Sequence, residues 1–81
     1  INSFRRETQS FYIDLLIKIY FDEEEYFPRD TRSIAYSTLQ KIESKISNVL
    51  PYYIFDDETT VSHLKAMNNK INSALNSKYI R

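Results

Sequence analysis

Three places in this 81-residue chain hold side chains that could do chemistry: the run FDEEEYFPRDTR over residues 21–32, the triplet Asp56-Asp57-Glu58, and His63. Glu23, Glu24 and Glu25 are oxygen ligands suited to a hard cation. Successive helical residues point about 100° apart, however, so the three converge on one ion only if the loop wraps around it. Asp56, Asp57 and Glu58 suggest a metal-dependent hydrolase, but such sites gather carboxylates from separate elements, whereas these are contiguous. They suit a helix start better, with Asp56 as cap and the next two acids in the first turn.

His63 is the only histidine and there is no cysteine, so a transition-metal site would lack ligands. No nucleophile with an orienting partner is visible around it, which leaves a partly exposed helix histidine. Glycine is absent altogether, and with it the familiar phosphate-cradling loop. The expectation is a protein that is not an enzyme and that holds no metal and no cofactor.

The elements that carry these residues are helices. Without glycine the favoured hairpin turns are hard to build, so the chain reads as all-α. Phe4, Phe11, Tyr12, Leu15, Leu16, Ile19 and Tyr20 recur at helical spacing and predict a first helix over about 3–21. Ile34, Leu39, Ile42, Ile46, Val49 and Leu50 predict a second over 28–50, with Gln40, Lys41, Glu43, Ser44, Ser47 and Asn48 on its wet side. Val61, Leu64, Met67, Ile71, Ala74 and Leu75 predict a third over 57–77. Pro51 disfavours helix at Leu50 and should end the second. Residues 22–27 then form an elbow in which Asp22 or Asp30 caps the next helix, Asp22 and Glu25 making a variant capping box. The predicted architecture is one domain, 1–81, an antiparallel up-down bundle showing three helices of an expected four.

Eleven basic and eleven acidic side chains cancel, which argues against nucleic acid as a partner. Eight of the acids lie in the two junctions. In an up-down-up bundle Arg5 and Arg6 approach the second junction, and Lys78 and Arg81 the first. No stretch reaches the roughly 18 apolar residues that cross a bilayer, so the chain is expected to be soluble or peripheral to a membrane, not inserted. A start at Ile1 rather than methionine suggests a processed chain whose targeting segment lies out of view.

The run Leu50-Pro51-Tyr52-Tyr53-Ile54-Phe55 has more apolar surface than a junction needs. It either closes the end of the bundle core or presents a docking patch, since tyrosine and phenylalanine are favoured where a partner removes water. The predicted docking residues are Tyr52, Tyr53, Ile54 and Phe55, with Arg29 and Arg32 as polar anchors. A three-helix arrangement also leaves a groove that a fourth helix fills, whether from this chain or from a partner.

The order of features over about 22–80 resembles the PsbQ family, extrinsic subunits of photosystem II. Glu24, Glu25, Tyr26 and Phe27 precede Arg32, Ser33 and Ile34; Leu39, Ile42 and Ile46 follow, then Leu50-Pro51 and Asp56-Asp57-Glu58. The last helix carries Leu64, Ile71, Ala74 and Leu75 and reaches Tyr79. The resemblance implies a four-helix bundle in the thylakoid lumen, peripheral to the thylakoid membrane. There it would dock on protein subunits of photosystem II and help retain calcium and chloride at the oxygen-evolving centre, without catalytic residues of its own. The alternative is a small soluble interaction module, bacteriocin-immunity-like or a phage or bacterial regulator, working in the cytoplasm.

Overall fold

The computed structural model describes residues 2–53 and 58–80, with side chains over 6–52 and 58–77. Three long helices account for most of it: α1 (Asn2–Tyr20), α2 (Arg29–Val49) and α3 (Glu58–Ile80), with a 3-10 turn at Leu50–Tyr53. The described residues contain no strand, in keeping with the all-α expectation. The third helix runs three residues past its predicted end, and the other bounds shift by a residue.

Contacts fix the direction of the helices. Arg6 donates to Thr60 Oγ1 (2.9 Å), His63 lies against Gln9, and Lys70 pairs with Asp14 (2.6 Å), so α1 and α3 advance side by side in the same sense. The Tyr20 and Tyr36 rings meet at 5.1 Å, joining the end of α1 to the start of α2, which runs back between them. Both outer helices pack mainly on α2 and more lightly on each other.

Among the described residues, nine form the buried interior: Ile13, Leu16 and Tyr20 from α1, Ala35, Leu39 and Ile46 from α2, Met67, Ile71 and Ala74 from α3. Leu39 and Ile71 are fully enclosed at its centre. The predicted apolar stripe of α3 holds. In α1 it does not: Phe11, Tyr12 and Leu15 are exposed, and Ile13, outside the predicted stripe, is buried. Ile34 at the start of α2 is likewise exposed, and Ala35 takes the inward position. The reason in α1 is that eight of the ten residues from Phe11 to Tyr20 are apolar or aromatic. With only Asp14 and Lys18 polar there, more than one face of the segment is apolar, and packing, not periodicity, selects the one that is buried.

The elbow is built without a helix cap. Backbone bonds from Phe21 to Ile17 (2.9 Å) and from Asp22 to Ile19 (3.2 Å) tighten the end of α1. The chain then reverses through Glu25, whose φ of 56° lies in the left-handed region that glycine would occupy at lower cost. Asp22 is buried and its Oδ2 accepts the Phe27 N–H at 2.7 Å, pinning the loop across five residues. Pro28 occupies the N-cap position of α2 with no side-chain cap bond, and Arg32 N–H donates to Pro28 O (3.2 Å). Neither Asp22 nor Asp30 caps α2; Asp30 sits in its first turn, where the exposed N–H groups favour negative charge.

At the far end α2 stops at Val49, and Pro51 falls in the first turn of the 3-10 segment, where its missing N–H costs nothing. The predicted cap Asp56 lies outside the described residues. Arg6 does approach the start of α3, bonding Thr60. The side chains of Arg5, Lys78 and Arg81 lie outside the described set.

Candidate docking surface

Of the residues with chemical potential, Asp56 and Asp57 lie outside the described residues. Glu23, Glu24 and Glu25 are exposed on the elbow. Among the described residues no three histidine or carboxylate side chains gather where one ion could be held. His63 is half-buried, and its Nε2 donates to Gln9 Oε1 at 3.0 Å. Burial, with the nearby Arg6 charge second, holds its pKa below the usual 6.5. Burial, and then the neighbouring Tyr36, raises that of Tyr20; both shifts follow from packing and point to no reaction.

The predicted docking residues are divided. Tyr52 is 84% exposed on the 3-10 turn and Arg29 is exposed at the start of α2. Arg32 is half-buried, with its Nε enclosed and unpartnered. It stands seven residues before the enclosed Leu39, about 20° from it around the helix. The side chain of Tyr53, and Ile54 and Phe55 altogether, lie outside the described residues.

The larger apolar surface is made by residues that periodicity alone places in the core. Phe11 and Leu15 stand on one turn of α1, 69% and 44% exposed, and each lies about 160° round the helix from Ile13. Ile34 stands about 140° round α2 from Leu39 on the edge nearest α1, and it is 65% exposed. α3 touches α1 through Arg6, Gln9 and Asp14 and α2 through Ser47, and Phe11 and Leu15 stand about 60° and 100° round α1 from Asp14. Tyr12 is exposed, Ile19 and Ile42 are half-buried against the core, and Tyr26 and Phe27 are exposed at the elbow.

A cavity of about 450 Å³ adjoins this face, lined by Tyr12, Ile13, Ile42, Ile46, Leu64 and Met67, with Gln9 and Lys45 adding polar atoms. Tyr12 and Lys45 also border the exposed stripe, so the two features are continuous.

The dimensions agree. The Cα trace measures 42 × 26 × 16 Å, with a radius of gyration of 13.7 Å, against about 12 Å for a compact domain of this length. The chain exposes 6255 Å² for its 9.7 kDa, where a compact monomer of that mass exposes about 5,100 Å². No helix among the described residues is long and apolar enough to cross a membrane. No family model, curated protein or solved structure matches the chain.

Proposed function

We propose that this chain is a non-catalytic docking subunit, which works by covering part of a larger protein assembly. The observation that carries this reading is the apolar face of the α1–α2 pair. Contiguous exposed apolar surface on a small protein marks an interaction site, because leaving it in water is unfavourable and a partner removes it. A fourth helix laid along that face completes a four-helix bundle, and Tyr52 with its aromatic neighbours Tyr53 and Phe55 adds a second contact at one end. Ile54, Arg29 and Arg32 belong to the same proposed contact set.

The test is photo-crosslinking in the cell of origin. A benzophenone side chain at Phe11 or Tyr52 is expected to give one saturable protein adduct, and the same group at Ser44, on the wet side of α2, none. Absence of an adduct from both positions would remove the docking reading.

The more specific form rests on the likeness over residues 22–80: an extrinsic subunit on the lumenal face of photosystem II that stabilises the oxygen-evolving centre. Photosystem II membranes washed free of extrinsic proteins should rebind the chain and recover calcium-dependent oxygen evolution. A specific adduct in the source cell without such rebinding selects the other form, a small soluble interaction module of the bacteriocin-immunity or phage-regulator kind.

A further inference from the structure

The cavity among the three helices passes from apolar to polar along its depth. Its floor is Ile13 of α1, Ile46 of α2 and Met67 of α3, all buried, and the half-buried Ile42 and Leu64 wall it. The lining residues left exposed are Gln9, Tyr12 and Lys45. Lys45 is the one charged residue of the lining, and no acid among the described residues pairs with it. The nearest acid along α2, Glu43, stands about 160° round the helix from Lys45 and accepts from Ser47 Oγ at 2.9 Å. Gln9 has its amide oxygen against His63 Nε2, so its NH2 is the group left to donate. The mouth is therefore rich in donors and carries one positive charge, above a floor with nothing for water to bond.

We propose that this cavity binds a small amphiphile, a single aliphatic chain of about ten to twelve carbons ending in a carboxylate. Size and shape set the chain. The volume of about 450 Å³ holds roughly 15 non-hydrogen atoms at about 30 Å³ each, the share of a water molecule in the liquid. The lining runs along α2 from Ile42 to Val49, about 10 Å at 1.5 Å per residue, a length that an extended chain of this size spans. The tail leaves water against Ile13, Ile46 and Met67. The carboxylate stays at the mouth and accepts from Lys45 Nζ. The site adjoins the docking face but stands on other residues, and its test does not depend on that reading.

Met67 is the only methionine of the chain, so its isotope-labelled methyl group gives a single NMR signal from the cavity floor. The ligands are decanoate and decylammonium, which share one tail and differ in the sign of the head, each titrated below its micelle concentration. Decanoate is expected to move the Met67 signal saturably and to bind about fivefold tighter than decylammonium at low salt, a margin that narrows as salt is added. Lys45→Glu, at an exposed position, should invert that preference. Ile42→Trp fills the cavity and should abolish the response to both ligands. Its circular dichroism spectrum reports whether it folds, and Val49→Trp replaces it if it does not.

No saturable shift with decanoate overturns the site. Equal or tighter binding of decylammonium, or a preference unmoved by Lys45→Glu, overturns the carboxylate. A Met67 response that persists in a folded, tryptophan-filled variant puts the ligand elsewhere and overturns the inference as well. None of these results bears on crosslinking from Phe11 or Tyr52, which decides the docking reading separately.

Discussion

Ile13 and Leu15 are two residues apart in a largely apolar stretch of α1, yet the fold treats them oppositely: 3% of Ile13 is exposed against 44% of Leu15. Truncating Ile13 to alanine leaves a void among Leu16, Leu39, Ile46 and their neighbours, and such substitutions cost about 2–5 kcal/mol. A chain of this length has a total stability of roughly 4–12 kcal/mol, so Ile13→Ala removes a large part of it. At about 4–8 °C per kcal/mol for a domain of this size, the melting midpoint falls by about 10 °C or more. Leu15→Ala forfeits only the half-buried part of its side chain. Full burial of a leucine is worth about 1.5–3 kcal/mol, so about 1 kcal/mol is at stake, partly offset by the better helix propensity of alanine. Urea unfolding of both variants, followed by far-UV circular dichroism, is expected to separate them by about 2 kcal/mol or more. Equal costs, or a larger cost at Leu15, would mean that α1 is rotated from the orientation described, and the exposed face would vanish with it.

Asp22→Ala leaves the partly buried Phe27 N–H without its acceptor and is expected to cost about 1–2 kcal/mol in urea midpoint analysis, with Asp22→Asn in between because it keeps an oxygen there. Glu25→Gly relieves the left-handed backbone and is expected to leave stability unchanged or raise it by up to about 1 kcal/mol, whereas Glu25→Val lowers it. A decrease with glycine larger than with valine in the same unfolding assay contradicts the elbow geometry. His63 has a folded pKa below its unfolded value of 6.5, so the unfolded chain takes up its proton first. Its contribution is fully present above that value and declines as pH falls through it toward the folded pKa. The urea midpoint should therefore drop between about pH 7.5 and 5.5, and His63→Gln should flatten that drop; an unchanged pH profile in the variant sinks the assignment.

The all-helical class and the division into three helices were legible from local causes: no glycine anywhere, Pro28 before Arg29 and Pro51 after Leu50. The buried face of α3 was legible too, since its apolar residues form one stripe. The face of α1 was not. Between Phe11 and Tyr20 nearly every residue is apolar, so only the placement of α2 and α3 decides that Ile13 turns inward and Leu15 outward. The elbow misled for a related reason: Asp22 looks like a helix cap by spacing, but the left-handed Glu25 turns its carboxylate onto Phe27 instead. The apolar face could have been suspected from that surplus of hydrophobicity on α1, which two neighbouring helices are too few to cover.

The most direct test of the docking account is hydroxyl-radical footprinting of Phe11 and Leu15, read by mass spectrometry in the isolated chain and in the native extract from its source cell. Both should react readily in isolation and be protected in the extract, with Leu39 shielded in each. Protection in isolation, or equal reactivity in both settings, contradicts it.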